Sequence, residues 1–515
     1  MRVKERLDIP AYVIAALAFA LYCGYSVYQW NHFLVPSWDL GIFTELAQQY
    51  ATIRAPIVDI KGPNYNLLGD HFHPLLVLLG FVYHFFPSGL TLLIVQNFLF
   101  ALSSVPLTRY ARRRLGSKLG VLVGVAYVLS FGLSEAVKSQ FHEIAFAVPL
   151  LAYGLVSWAE GRKRAAIIEL GLLVFVKEDL GLTLVAFGLI ELWIQWGERA
   201  RGEQRGSVDS AESVGSTDGA DSSDSSRPYV FPARTGSSLV ATLKAKSATV
   251  PISLILWGAL WFLLAIFVIL PLLNPGGGWE YTSNLGSGSS TYSGILAFLV
   301  SVADPGEKIV TLILLACIAG LVGVRSPYMW LMFPTLAWRF LGNVDTYWGW
   351  AWHYSAVLMP IAIFALIDGV ERLEGWEVLR KSWREKLRVF AVGVSLVTSL
   401  AMTWGGPLGT YLRGVIDVPD DTEIAAARGA IEAAGKSRAV VTDMTMLAYL
   451  VPDNRVFWEG SVDDGDGQVD TVVATPESSV MNDSLTPDMW AANRFGGTWE
   501  TIYDEEGYTV TTRID

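Results

Sequence analysis

Four candidate side chains for acid–base or ligand chemistry stand out in one polar stretch, residues 31–74, which reads NHFLVPSWDLGIFTELAQQYATIRAPIVDIKGPNYNLLGDHFHP. They are Asp39, Asp70, His71 and His73. A carboxylate at Asp39, within WDLGIF, can take a proton from an acceptor hydroxyl or hold a divalent cation. It also opens a run with helical spacing, LGIFTELAQQY, so it equally suits an N-cap, and a capping carboxylate can still point into a site. The glycine beside it lets the backbone turn. GDHFHP sets oxygen and nitrogen donors close together. In an extended segment His-x-His places both imidazoles on one face, which suits a transition metal or a proton shuttle, and Pro74 favours extended backbone at His73. The candidate metal ligands are therefore Asp39, Asp70, His71 and His73, with the metal itself undetermined.

Further ionisable groups stand at the ends of apolar segments. Gln140, His142 and Glu143 form one group, and Lys177, Glu178 and Asp179 a second. Ionisable groups at membrane depth are costly unless paired or hydrated, so both are candidate substrate-binding sets. An interfacial ion pair at Lys177 is the plainer alternative. Arg339 and His353 flank a loop containing Trp348, Trp350 and Trp352. Arginine can hold a phosphate and tryptophan can stack on a sugar ring or lipid, although alternating tryptophans also make an aromatic belt.

These groups must be positioned by a largely apolar chain. Its 515 residues are 52% hydrophobic and 17% charged, with mean hydropathy +0.39, the profile of a polytopic membrane protein. Apolar segments of about 20 residues span a bilayer, and basic loops mark the cytoplasmic side. Candidate spans fall at about 11–30, 89–108, 118–134, 144–158, 165–176, 180–196, 250–273, 308–324, 327–341, 354–370 and 388–405, about 11 in all. A single helix over 165–196 would be roughly 48 Å long, so Lys177–Asp179 is expected to divide it. The run 75–86 is too short to span and is expected to be re-entrant or interfacial. Arg2, Lys4 and Arg6 put the N-terminus in the cytoplasm, ahead of a retained signal anchor. All six histidines, His32, His71, His73, His84, His142 and His353, then fall on or near the outer face, where a shared polar cavity is expected.

Four regions follow. Residues 1–197 form a first membrane half with the outer loop 31–74, and 198–249, rich in Ser, Asp and Gly, a disordered cytoplasmic linker. Residues 250–405 form a second membrane half, and 406–515 an acidic domain outside the membrane. From Tyr411 to Asp515 there are 20 carboxylates against 7 Lys or Arg, while the whole chain carries −11. That domain therefore holds the acidity, in a halophile-like manner, and no nucleic-acid partner is expected. TEIAAARGAIEAAG reads as a helix, and AVVT, RVFWE and DTVVAT as strands, giving a small α/β domain. Cys23 and Cys317 lie in apolar runs and form no disulfide framework or metal spacing. No GxGxxG, Walker A, HExxH or GxSxG site stands out, which argues against a nucleotide-driven pump and the familiar hydrolases.

WDLGIF, GDHFHP, QFHEIAFAVP, VKEDLGL and WHYSAVLMP, in this order, together with AVVTDMTMLAYLVPDNRVFWEG, resemble the blocks of a predicted-membrane-protein family, domain of unknown function 2079. That family is grouped with the GT-C glycosyltransferases. The resemblance implies a GT-C-like fold and transfer of a sugar from a polyprenyl-phosphate donor, on the outer face, to an acceptor. It makes Asp39 the counterpart of the first-loop acidic residue, with Asp70, His71 and His73 lining the same cavity and His142, Glu143, Glu178 and Asp179 opposite. No Asp-x-Asp or paired Asp-Asp/Glu is evident in that loop, which leaves dependence on a divalent cation open. The expected reaction is inverting, with Asp39 as base and Arg339, Lys177 or a metal stabilising the departing phosphate. A proton-coupled transporter or lipid flippase is the alternative, and a non-catalytic assembly or sensor protein the third.

Overall fold

A computed structural model describes residues 7–214, 242–243, 245–277, 306–376, 378, 380–462, 465, 468–482 and 485–515. Helix α1, Ile9–Asn31, starts where Asp8 caps the backbone N–H of Ala11 and Pro10 occupies the first turn, a position where its missing N–H costs nothing. Helix α2, Trp38–Ala51, follows a short turn, and α3, Val77–Phe85, is the short apolar helix expected near 75–86. Helix α4, Gly89–Leu115, is capped by Ser88 and ends on Arg112, Arg113 and Arg114. It packs along α1, where buried Asn97 donates to Ser26 Oγ at 2.9 Å. Two shorter helices, α5 at Ser117–Val128 and α6 at Phe131–Ser139, lead to α7, Ile144–Ala159, and α8, Lys163–Gly171.

Helix α9, Leu180–Val214, and α10, Thr249–Leu264, join the two halves at close range. A Cβ at Gly181 would stand 2.6 Å from the carbonyl oxygen of Gly258, so glycine is what lets the backbones approach. Helix α9 continues past the expected linker boundary at 198, because GERARGEQRG is rich in the helix formers Glu, Arg and Gln. Residues 215–241 of the expected linker lie outside the described residues. The second half continues with α11 at Gly306–Ile318, α12 at Phe333–Leu341, α13 at Leu358–Arg372 and α14 at Lys381–Gly405.

Among the described residues six helices are long and apolar enough to cross a bilayer: Ile9–Asn31, Gly89–Leu115, Ser117–Ser139, Leu180–Ala200, Lys246–Leu273 and Lys381–Gly405. The other expected segments are shorter. After α11 the chain reverses at Gly320 and Leu321, both at positive φ, and residues 327–341 divide into a 3-10 stretch and the 9-residue α12.

The C-terminal region folds on a sheet of β1 (Ala439–Thr442), β2 (Arg455–Trp458), β3 (Thr471–Ala474), β4 (Trp499–Glu505) and β5 (Tyr508–Arg513), in the order β2-β1-β3-β5-β4. The first three strands are parallel, and β5 and β4 complete the sheet antiparallel. Side chains alternate as the pleat requires. Val440, Val456, Val473 and Val510 share a core with helix α15, Asp421–Ala434, while Val441, Phe457 and Val472 pack with Trp490 and Phe495 of α17, Pro487–Phe495. A short helix between β1 and β2, α16 at Leu447–Leu450, seats on α2. A Cβ at Gly41 would lie 2.7 Å from Leu447 Cβ. The glycine beside Asp39 thus admits a neighbouring helix and does not turn the chain.

Candidate active site

The first turn of α2 carries Asp39. Its N-cap is Ser37, two residues earlier than the expected cap at Asp39, and the Ser37 hydroxyl instead accepts the Ala448 N–H at 2.7 Å. Asp39 is left pointing away from the helix end. Its Oδ2 accepts from Gln140 Nε2 at 2.8 Å, while Gln140 Oε1 accepts the Leu40 N–H at 3.0 Å. Gln140 is itself anchored by buried Gln96 on α4, which donates to the carbonyls of Gln140 at 3.0 Å and Ala136 at 3.2 Å and accepts the His142 N–H at 3.2 Å. A ladder of two glutamines therefore sets the base candidate against the turn between α6 and α7.

That turn delivers His142 and Glu143. His142 Nε2 lies 3.4 Å from Asp39 Oδ2 and Nδ1 lies 4.0 Å from Glu143 Oε2. The His142 ring stacks on His353, with centroids 3.3 Å apart and planes 23° apart. Glu143 Oε1 accepts from Lys177 Nζ at 2.7 Å. The neighbouring Glu178 grips the loop before α3: Oε1 meets His71 Nδ1 at 2.8 Å and Oε2 accepts the Phe72 N–H at 3.0 Å. Asp179 Oδ2 accepts from Trp338 Nε1 at 3.1 Å, and Asp70 Oδ2 pairs with Lys61 at 3.3 Å.

These groups surround a cavity of about 370 Å³. Its charged wall is built from Asp39, Lys61, Asp70, His71, His73, His142, Glu143, Lys177, Glu178, Asp179 and His353. Trp38, Phe43, Trp338, Tyr347 and Tyr354 add aromatic surface, and Leu182, Phe262 and Ile266 of the α9–α10 region an apolar side. Confinement in this wall shifts the acids and bases in opposite directions. Burial raises Asp39 above the usual carboxylate range, against the opposing pull of His142. It also raises Asp179 to about 6 and drives His73 down to about 4. Burial would raise Glu178 too, but His71 outweighs it and holds Glu178 at about 2. Glu143 is likewise held low by Lys177 in spite of burial. The wall thus combines ionised pairs with a base that proton transfer can neutralise.

Ten of the candidate residues named from the sequence line this cavity, and four of the six histidines are among them. Arg339 and Trp352 do not. Arg339 is fully buried and its guanidinium donates to Tyr347 O and Gly349 O at 2.7 Å each and to Ser355 Oγ at 3.2 Å. These three bonds tie the guanidinium to the chain between α12 and α13. Trp352 is 40% exposed and lies off the lining. His32 turns back to Tyr28 O at 2.8 Å, and His84 packs beside Phe85. Lys61, Trp338, Tyr347 and Tyr354 line the cavity without having been singled out. Lys61 stood within the polar stretch as a lone lysine, and Trp338 adjoined Arg339, but neither had a spacing signal.

Asp39, Asp70, His71 and His73 do not form a ligand set. Asp70 is paired with Lys61 and His71 with Glu178, and among the described residues no three His, Cys, Asp or Glu side chains group as a metal would need.

A helical body with a polar cavity and a small C-terminal α/β domain is a fold shared with solved membrane proteins. ArnT from Cupriavidus metallidurans, solved bound to undecaprenyl phosphate, is similar over 98% of both chains at TM-score 0.51 and 12% identity. The same protein in the apo state matches 98% of this chain and 97% of that one at TM-score 0.46 and 13% identity. The oligosaccharyltransferase of Archaeoglobus fulgidus, in complex with zinc and sulfate, covers 90% of this chain with 68% of its own at TM-score 0.44 and 12% identity. No curated protein is matched by sequence. The family described as predicted membrane protein, DUF2079, matches residues 29–457, and the chain belongs to it.

Proposed function

We propose that this protein is a membrane glycosyltransferase that moves a sugar from a polyprenyl-phosphate donor to an acceptor hydroxyl. The observation that carries this reading is Asp39, a carboxylate oriented by Gln140 and facing a cavity that also presents Lys61 and Lys177. The likeness in fold to a protein solved with undecaprenyl phosphate supports the lipid carrier. In the reaction the acceptor O–H gives its proton to Asp39 as its oxygen bonds to the anomeric carbon. The bond from that carbon to the phosphate oxygen breaks on the opposite side, and polyprenyl phosphate leaves with the electron pair, inverting the sugar. Raising Asp39 by burial brings it closer to the proton affinity a base needs in mid-reaction.

Lys61 and Lys177 supply positive charge to the leaving phosphate, each buffered by a carboxylate, Asp70 or Glu143. Trp338 and Tyr354 offer flat surface to a sugar ring. Apolar Leu182, Phe262 and Ile266 face the side from which a lipid would enter. The basic ends at Arg112–Arg114 and Arg162–Arg164 support a cytoplasmic N-terminus, with the cavity and the C-terminal domain on the outer face. Mass spectrometry of lipids extracted from the purified protein tests the carrier. Polyprenyl phosphate or its glycosylated form, enriched over bulk lipid, is the expected result. Bulk phospholipid alone counts against it.

A further inference from the structure

His142 lies between two carboxylates. Its Nε2 is 3.4 Å from Asp39 Oδ2, its Nδ1 is 4.0 Å from Glu143 Oε2, and beyond Glu143 the Lys177 ammonium stands at 2.7 Å from Oε1. The ring is 6% exposed, and among the described residues no hydrogen bond closes on Nε2. Gln140 donates to the same Asp39 oxygen from the other side, so that oxygen is fixed in front of the ring. The stacked His353 ring, itself buried with Nδ1 unpartnered among the described residues, holds the imidazole plane in place.

Resting on the transferase reading, we propose that His142 is the positioning residue behind Asp39 that relays the acceptor's proton away from it and so resets the base. With Nδ1–H directed at Glu143, the Nε2 lone pair faces Asp39. When Asp39 gains the acceptor's proton, that proton passes from Oδ2 to Nε2, and Asp39 returns to carboxylate. The imidazolium formed lies between two negative charges, of which Glu143 is kept ionised by Lys177. It gives up the Nε2 proton to water admitted as products leave, and no electrons change hands. A buried relay explains why a polar nitrogen is left without a hydrogen bond in so well connected a wall. The charged and titratable groups facing His142 are Asp39 from α2, His71 from the loop before α3, Glu143 beside it, Lys177 from the turn before α9, and His353 from the second half.

The test is a titration of the full-length protein in detergent, with 13C at histidine Cε1, from about pH 4 to 9. His142 is assigned by loss of its resonance in H142Q or, where that variant does not fold, by elimination through single His→Gln variants at the other five positions. D39N is expected to lower the His142 midpoint by about one pH unit and to move the other histidines less. An unchanged midpoint overturns the proposal. In liposomes with polyprenyl-phosphate mannose, H142Q is expected to lower kcat about tenfold or more at unchanged KM and to flatten its pH dependence. A wild-type kcat and pH profile in folded H142Q also overturns it. Absence of donor consumption by the wild type would instead defeat the transferase reading, and the D39N titration would still decide whether Asp39 and His142 exchange charge.

Discussion

Gln140 donates its amide N–H to Asp39 Oδ2 at 2.8 Å across 101 positions of sequence, and with its carbonyl it accepts the Leu40 N–H of the same helical turn. Two hydrogen bonds from one side chain fix both the helix start and the direction of its carboxylate. The base candidate is thereby held by an uncharged partner, which orients it without neutralising it.

Removing that grip should cost turnover more than donor affinity. Q140A is expected to reduce kcat about 10- to 100-fold with KM for the donor within about twofold, because a misplaced base loses orientation while the cavity persists. Q140E keeps an oxygen for Leu40 but cannot donate to Asp39, and should be as slow. Initial rates of donor consumption in liposomes check both variants, and a fast Q140E would show that the donated bond is dispensable.

Arg339 should behave as a structural residue. R339A strands the carbonyls of Tyr347 and Gly349 inside the protein, a loss of about 3 kcal/mol or more. R339K reaches fewer acceptors and should fall between. Thermal unfolding followed by size exclusion in detergent should show a clear drop in Tm for R339A. A wild-type Tm combined with lost donor binding would return this arginine to a phosphate-holding role.

The seam between α2 and the C-terminal domain should be sensitive to pH. Glu45 is 3% exposed, accepts the Ile60 N–H at 3.2 Å, and lies near Asp59, which pairs with Arg455 at 2.6 Å. Burial, reinforced by Asp59, raises Glu45 from its usual 4.5 to about 8. Between those values the folded protein binds a proton that the unfolded chain releases. Stability from this group is therefore full below about pH 4.5 and falls as pH rises towards about 8. E45Q removes the titration, so its Tm should exceed that of wild type at pH 8 and match or fall below it at pH 5. An equal difference at both values would contradict the assignment.

Much of this arrangement was legible in residue order, and the parts that were not share a physical reason. GDHFHP and the Lys177–Asp179 triplet announced themselves because charge inside apolar sequence needs a partner, and His71 and Glu178 prove to be partners. AVVT, RVFWE and DTVVAT became β1, β2 and β3 because β-branched and aromatic runs suit a pleated sheet. The β4–β5 hairpin went unread, although Gly507 at positive φ marks its turn, since its strands are largely polar on the outer face. The partners of Arg339 could not be read, because sequence shows a charge but not the carbonyls that a fold bends around it. Lys61 and Trp338 carry no pattern at all. They reach the cavity only through tertiary packing.

The central claim is that Asp39 removes the acceptor's proton during sugar transfer, and its most direct measurement compares wild type and D39N in liposomes containing polyprenyl-phosphate-[3H]mannose. The account predicts that wild type converts the donor to free polyprenyl phosphate and a glycosylated product. D39N, which keeps the size of the side chain, should fall at least about 100-fold while retaining the bound donor. Transfer by D39N at the wild-type rate, or proton-gradient-driven flux through wild type without sugar transfer, would contradict it.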